Sequence, residues 1–313
     1  MLNFFKAKQE QDGDYFEEGA GRSQGDGNED LELTHVGPYE IVAPIGSGGM
    51  GTVYKAVDRR RDQTIAIKVL NRSYDVDKKK RRKDYLGREI AIAAGLEHDS
   101  IVKMHNQIVE QEDRDGTLRR CLLMEYVDGD NLRRFIDDRS MSFQQMVGIS
   151  IRLAEGIDFL HQQGIIHRDI KPENFLFSRD MSKVKIVDFG LSKTSGGWAS
   201  RFLKEKGGTA KYMSPEQVEQ KSLDVRSDIF SFGMTIYELF AGEHPCTGVT
   251  RKDILKQIKS PSYKFPPPSK INPESPRVMD KIILKAIRRQ PERRYQTMTE
   301  LLMDLKRLGE SRI

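Results

Sequence analysis

The sequence predicts an α+β chain of two lobes, a small mainly β lobe with one helix followed by a large mainly helical lobe. Three observations carry that reading. From Tyr39 to Val127, short β-branched and aromatic runs alternate with glycine and Asp-Gly turns. After Val127 the long stretches Ser142–Gln163 and Asp224–Ala241 space their apolar residues at the helical period. Within the second part, His167-Arg168-Asp169-Ile170-Lys171-Pro172-Glu173-Asn174 and the later Asp188-Phe189-Gly190 gather two carboxylates, a lysine and an amide at fixed offsets.

Composition sets the limits. A chain of 313 residues, 37% of them hydrophobic, has room for two cores at about 100–200 residues per domain. The net charge of +5 comes from plentiful residues of both signs, and no basic run interleaves with aromatics, so nucleic acid is not expected as a partner. Cys121 and Cys246 form no Cys-x-x-Cys pair, which excludes a thiol-rich metal site and suits a reducing compartment. The opening Met1-Leu2-Asn3-Phe4-Phe5-Lys6 is too short for a signal peptide, and no apolar run is long enough to cross a bilayer. A cytoplasmic protein without a transmembrane segment is therefore expected. The domain boundaries expected are 1–36 for an acidic disordered tail, 37–127 for the small lobe and 128–313 for the large lobe.

The tail carries Asp12, Asp14, Glu17, Glu18, Asp26, Glu29 and Asp30 with few apolar residues. Order is expected from Tyr39, where a strand leads into Gly46-Ser47-Gly48-Gly49-Met50-Gly51 and a second strand, Thr52-Val53-Tyr54. A glycine loop followed by a strand suits a hairpin over a nucleotide; a dinucleotide fold would open a helix there. Asp62-Gln63 is a turn, and Thr64–Leu70 is the next strand, with Lys68 in an apolar alternation. A lysine facing a core needs a charged partner. Glu89 is the candidate, on a helix between Lys78 and Leu96 whose inward stripe is Leu86, Ile90, Ala93 and Ala94. Asp113-Arg114-Asp115-Gly116 signals the last hairpin. In the large lobe, helices are expected at Asn131–Asp137, Ser142–Gln163, Asp224–Ala241, Ile254–Ile258, Pro276–Arg289 and Thr297–Leu308, with Pro266-Pro267-Pro268 as a connector.

A hydroxyl near Asp169, a metal between Asn174 and Asp188, and Lys171 beside the transferred group are what in-line phosphoryl transfer requires. Together with Ala66-Ile67-Lys68, the glycine loop and Ser214-Pro215-Glu216, these motifs resemble the eukaryotic-type protein kinases over nearly all of Tyr39–Leu308. The wording Gly48-Gly49-Met50-Gly51-Thr52-Val53-Tyr54 and Gly208-Thr209-Ala210-Lys211-Tyr212-Met213-Ser214 is most similar to the bacterial eukaryotic-like Ser/Thr kinases.

The resemblance implies a bilobal kinase fold, ATP with Mg²⁺ (Mn²⁺ as an alternative metal), and protein Ser/Thr substrates. It implies that Asp169 orients the acceptor hydroxyl, that Lys171 neutralises the γ-phosphoryl group, and that Asn174 and Asp188 hold the metal. Lys68, fixed by Glu89, would hold the α- and β-phosphates under the loop Gly46, Ser47, Gly48, Gly49, Met50 and Gly51. Val53, Ala66 and Leu176 would sandwich the adenine, with backbone at Glu125 and Val127 on its edge and Met124 behind it. Arg294 would brace Glu216, and Asp228 and Gly233 would order the catalytic loop. Arg168 would clamp a phosphate on Thr194, Ser195 or Ser200, a route to activating autophosphorylation. Ser214, Cys246 and Ala93 depart from the commoner residues at their positions. Many bacterial relatives continue into a membrane span and extracellular repeats that the sequence to Ile313 does not contain. Relatives also pair through their small lobes, which makes such a homodimer one arrangement for this chain. The runner-up reading is a pseudokinase scaffold that binds without transferring phosphate.

Overall fold

A computed structural model of the chain describes residues 33–48, 51–71, 90–112, 116, 118–189 and 208–310. Thr34–Ile313 forms one compact unit; of the other unit, Met1–Leu33, only Leu33 is described, so the expected acidic tail lies outside the described residues. Among the described residues no helix is long and apolar enough to cross a membrane.

The small lobe is an antiparallel sheet of six strands, beginning with β1 (His35–Val36), in the order β1-β2-β3-β4-β6-β5. Strand β2 (Tyr39–Gly48) pairs with β3 (Gly51–Asp58), and the register ends at Gly48 opposite Gly51. That register makes the glycine loop a hairpin, with Gly49 and Met50 between its arms and outside the described residues. The three described loop glycines serve two different ends. A Cβ at Gly46 or Gly48 would meet nothing within 4 Å, whereas one at Gly51 (φ +149°) would lie 2.0 Å from the Val69 carbonyl oxygen. Gly51 thus lets β3 lie close on β4 (Gln63–Leu70), and Gly46 and Gly48 leave space above the cleft.

The Asp62-Gln63 turn places Asp62 at φ +50° and opens β4. Six consecutive residues of β4, Ile65 to Leu70, are buried, Lys68 among them at 3% exposure. The hairpin after β5 (Met104–Glu112) returns as β6 (Leu118–Glu125), with Glu112 opposite Leu118 and only Gly116 of the turn described. The helix expected across Lys78–Leu96 is described only over residues 90–94, where Ile90 and Ala93 enter the core. Ala93, small for its position, is 4% exposed, so it packs despite its size.

The large lobe is built around the Val225–Ala241 helix, in which every residue from Ser227 to Ala241 is buried. A helix buried all round is a core element rather than an amphipathic surface one. Asp224 caps its start by accepting from the Arg226 N–H, and Gly242 at φ +73° ends it. The Phe143–Gln162 helix begins with a capping box between Ser142 and Gln145. The final helix, Met298–Glu310, crosses it, with Thr299 donating to Asp158 at 2.8 Å and Lys306 pairing with Glu155 at 2.7 Å.

Several expected ends shift because the sequence pattern reads a capping residue as the first helical one. Ser142 and Asp224 are caps, and Leu132–Asp138 replaces Asn131–Asp137 with Asn131 as its cap; Arg251–Lys259 instead starts three residues before the expected Ile254, because its first turn, Arg251-Lys252-Asp253, is polar and carries no apolar period. The expected Pro276–Arg289 helix is Arg277–Ala286, and the last proline of the connector opens a short helix, Pro268–Ile271.

The two kinds of glycine separate by experiment. Gly51→Ala should cost about 1–3 kcal/mol through overpacking against Val69 and so lower the melting temperature by several degrees. Gly46→Ala should leave it unchanged within about one degree, the open space around Gly46 allowing a methyl group. Equal melting temperatures for the two variants would contradict this division.

Candidate active site

Below the sheet the catalytic stretch runs through His167–Asp169 into the Pro172–Asn174 turn, which feeds β8 (Phe175–Ser178). Strand β8 pairs with β7 (Gly129–Asn131) and with β9 (Val184–Ile186), and β9 leads directly to Asp188. This small sheet sets the two acids beside each other. Val187 N–H donates to the Asn174 carbonyl at 3.0 Å, so the chain before Asp188 is tied to the residue that ends the turn.

Hydrogen bonds then fix the roles of His167. The Asp169 N–H can only donate, and it donates to His167 Nδ1 at 3.3 Å; His167 Nε2 therefore carries the proton and donates to the Val187 carbonyl at 3.0 Å. From below, the buried Asp228 carboxylate accepts from His167 N–H at 2.7 Å, Arg168 N–H at 2.8 Å and His161 Nε2 at 2.9 Å. Burial works to raise the Asp228 carboxyl pKa, but these donors and the neighbouring His167 outweigh it and hold it below the usual carboxylate range. Arg168 (φ +69°) and Asp188 (φ +60°) both adopt left-handed backbone, at a cost of order 1–3 kcal/mol each, which the surrounding bonds hold in place.

The charged groups meet in two close pairs. Lys171 Nζ lies 2.9 Å from Asp169 Oδ2, and Lys68 Nζ lies 2.6 Å from Asp188 Oδ1. Burial alone would lower the Lys171 pKa; Asp169, with Glu173 and Asp188 behind it, raises it. Burial likewise pushes Asp188 up, and Lys68 and then Lys171 bring it below its ordinary value. Asn174 donates through Nδ2 to the Asp169 carbonyl at 2.7 Å and to Asp169 Oδ2 at 3.1 Å, which turns its other amide atom, the Oδ1 acceptor, away from Asp169.

These groups line one cleft of about 750 Å³ between sheet and helices. It brings together Gly46, Ser47, Gly48, Gly51, Val53, Ala66, Lys68, Met124, Glu125, Val127, Asp169, Lys171, Asn174, Leu176 and Asp188. Gly49, Met50 and Glu89 lie outside the described residues, so the expected Lys68–Glu89 pair does too; the described partner of Lys68 is Asp188. The Glu125 N–H is committed to the Lys103 carbonyl at 2.9 Å, so its contribution to a ligand's edge falls to its carbonyl. The wall also includes Ile45 and Val187, which sequence reasoning missed. Their signal was adjacency, Ile45 just before the glycine loop and Val187 just before Asp188. Val102, also in the wall, offered no such signal.

Behind the cleft, Arg294 makes a two-pronged bond to Glu216 at 2.6 and 2.8 Å, and Ser227 donates to the same carboxylate at 2.7 Å. Ser214 and Gln217 form a capping box on the Pro215–Val218 turn, which gives the unusual serine a structural use. Gln217 Nε2 donates to the Arg168 carbonyl at 2.8 Å and so joins this platform to the catalytic stretch. Gly233 packs elsewhere than expected: a Cβ there would lie 2.7 Å from Ile287 and 2.8 Å from Ala286, so it serves helix packing rather than the loop.

The protein kinase domain profile matches residues 39–304. The chain belongs to the protein kinase family. It is 34% identical over 269 residues to a probable serine/threonine-protein kinase of Clostridium acetobutylicum, with 85% of this chain and 39% of that protein covered. It is 35% identical over 276 residues to the serine/threonine-protein kinase PknB of Mycobacterium tuberculosis, covering 86% of this chain and 42% of that protein. The kinase chain thus spans about two fifths of the length of these relatives. Among solved structures, the PknI kinase domain of Mycobacterium tuberculosis is similar with a TM-score of 0.63 and 25% identity, over 86% of this chain and 95% of that one.

In this kinase the metal's expected ligands pass a chemical test. The Asn174 amide oxygen and the Asp188 carboxylate are hard oxygen donors on one cleft, the type Mg²⁺ takes, and they leave most of its coordination to water and phosphate.

Replacing Asp228 tests the anchor. Asp228→Asn puts an amide donor against backbone donors, and the loss should be about 3–5 kcal/mol at pH 7. The native carboxyl pKa is depressed, so its contribution is present above the unfolded value near 4 and is lost as pH falls through the lower native value. Urea unfolding at pH 7 and pH 3 should therefore show a smaller acid-induced loss in Asp228→Asn than in wild type.

Proposed function

We propose that this kinase transfers the γ-phosphoryl group of ATP to Ser and Thr hydroxyls of protein substrates. The observation that carries the proposal is the convergence of Lys68, Asp169, Lys171, Asn174 and Asp188 on one cleft, with the two lysines each held by a carboxylate. Asp169 Oδ2 is the acceptor for an incoming hydroxyl proton, and Lys171, already bonded to it, is placed to meet charge on the moving phosphoryl group. Lys68 would hold the α- and β-phosphates beneath Gly46 and Gly48, and Val53, Ala66 and Leu176 would enclose the adenine. Asn174 and Asp188 would hold Mg²⁺, which supplies charge neutralisation on the phosphate oxygens when bound. The short reach from Asp169 to Lys171 favours a Ser or Thr hydroxyl over the longer tyrosine. The domain bounds proposed are a tail at 1–36, a small lobe at 37–127 and a large lobe at 128–313.

Activation by autophosphorylation rests on Arg168, whose backbone is held by Asp228 on one side and by Gln217 on the other. A phosphate adds about −2 charge near neutral pH and would find a guanidinium with a fixed root. The acceptors Thr194, Ser195 and Ser200 lie outside the described residues.

Lys68→Met and Asp188→Asn should fold and lose about 10²–10³ or more in transfer rate, since each removes a charge that meets the transition state. The measurement is phosphate incorporation from Mg-ATP into a Ser/Thr peptide library, with mass spectrometry of the kinase itself. Wild-type rates in either variant would overturn the assignment of these residues, and a wild-type protein that binds nucleotide and transfers nothing would favour the scaffold.

A further inference from the structure

One stretch of the large lobe carries a concentration of positive charge that the phosphoryl-transfer chemistry does not use. Residues 251–290 hold eleven Lys and Arg against three Asp and Glu, a net charge of +8 in a chain whose total is +5. The rest of the chain is therefore net negative, and the excess belongs to this stretch. It folds as the Arg251–Lys259 helix, the short Pro268–Ile271 helix and the Arg277–Ala286 helix.

The helical period sorts those charges onto two faces. Lys252, Lys256 and Lys259 fall within an arc of about 60° and are exposed, with Ile254 and Ile258 buried on the opposite side. Arg277, Lys281 and Lys285 fall within an arc of about 80°, all exposed, opposite the buried Met279, Ile282, Ile283 and Ala286. Exposed Arg288 extends the second row, its N–H bonded to the Lys285 carbonyl at 3.3 Å. The two rows meet at their C-terminal ends, where half-buried Arg289 donates to the Ile258 and Gln257 carbonyls at 2.8 and 2.9 Å. Lys259 and Arg288 are the chain neighbours of Ile258 and Arg289, so the bond between the helices sets one row beside the other.

The fold leaves these cations unneutralised. Among the described residues none of the seven forms an ion pair, and Lys285, which rests over the Tyr295 ring at 3.8 Å, is still exposed. Two of the three acids of the stretch are held by hydroxyls instead: Asp253 Oδ2 accepts from Thr250 Oγ1 at 2.6 Å, and Asp280 Oδ2 from Ser269 Oγ at 2.5 Å. Lysine supplies five of the seven charges. An ammonium is a point charge that suits a diffuse negative surface and lacks the fork that fixes a single carboxylate or phosphate. Stacked bases would find no platform, since no aromatic is among the large exposed side chains of the described residues. Two aliphatic side chains edge the rows instead: Val249, 81% exposed, just before the Thr250 cap, and Ile271, 39% exposed, beside exposed Lys270. Exposed cations bordered by aliphatic side chains match the headgroup region of a membrane.

We propose that the exposed faces of the Arg251–Lys259 and Arg277–Ala286 helices form a docking surface for an anionic lipid bilayer. Each Lys or Arg brought near such a surface raises partitioning by about fivefold, so several in contact at once give reversible attachment. None of the seven lines the cleft that holds Asp169 and Lys68, and the attachment is independent of the phosphoryl-transfer reading.

The test is co-sedimentation of the full chain with lipid vesicles. At about 0.1 M salt, wild type should bind vesicles of about 30% phosphatidylglycerol in phosphatidylcholine at least about a hundredfold more tightly than pure phosphatidylcholine vesicles, and about 0.5 M salt should remove most of that preference. Arg277→Gln, Lys281→Gln and Arg288→Gln combined should weaken binding to the anionic vesicles at least about tenfold. Arg59→Gln, Lys183→Gln and Lys221→Gln combined remove the same net charge at exposed positions elsewhere, and should stay within about threefold of wild type. All six side chains are exposed, so both triple variants should melt within about two degrees of wild type. Equal losses in the two triple variants would trace the effect to net charge and overturn the docking surface. Wild-type binding that ignores lipid charge or salt would overturn it too. So would a single-stranded RNA or a polyglutamate peptide that binds more tightly than the vesicles at equal negative charge, since the face would then belong to another partner.

Discussion

The buried carboxylate of Asp228 is the constraint on which the site depends. A fully buried charge is tolerated only where donors surround it, and here the donors are the backbone of His167 and Arg168 together with the His161 ring. The requirement runs both ways. The helix that carries Asp228 needs the loop to satisfy its charge, and the loop needs Asp228 to hold Arg168 in left-handed backbone. Asp169 follows immediately, so the position of the reacting carboxylate is inherited from a core helix rather than from the loop's own preferences. His167 carries the same order onward to Val187, and Asn174 does so through its carbonyl, so the second acid is placed by the same set of bonds.

The cleft above shows how charge is held ready without being neutralised beyond use. Each lysine is paired with a carboxylate, and under the proposed chemistry each pair is a contact that phosphate or metal would replace. The apolar walls lower the local dielectric and so strengthen those exchanges. Gly46 and Gly48 add open space rather than contact, while Gly51 gives the neighbouring strand its close approach. A single glycine pattern in the sequence thus meets two separate demands, one for a ligand and one for the sheet.

How much of this was legible in the sequence depends on distance along the chain. His167–Asn174 and Asp188 could be read directly, because local spacing fixes what a turn and a strand present. The β hairpin at Gly48–Gly51 followed from the β-branched run after the third glycine, and the core helices followed from their apolar period. Pairings across long separations were less accessible. The bond from Gln217 to Arg168, the clamp of Glu125 N–H on Lys103 and the reach of Arg133 to Glu238 join residues whose local sequence gives no hint of the partner. Gly233 was misjudged for the same reason, since a glycine in a helix can serve packing on either neighbour and only the approach of Ala286 and Ile287 decides it. Helix ends moved by a residue or more wherever a cap was counted as part of its helix.

The Val225–Ala241 helix carries two buried carboxylates that tie separate parts of the large lobe to one core element. Asp228 and Glu238 are ten residues apart, about 15 Å along the axis at 1.5 Å per residue. Ten residues make about 2.8 turns, so the two carboxylates leave the helix about 80° apart. One accepts from the backbone of the catalytic stretch and the other from the guanidinium of Arg133. Between them Ser231 and Thr235 return their hydroxyls to the helix's own carbonyls at 3.1 and 2.9 Å. A helix with no exposed face in its last four turns has few ways to shift when substrate binds. The bonds that Asp228 and Glu238 make are therefore held at a fixed separation by the core helix that carries both.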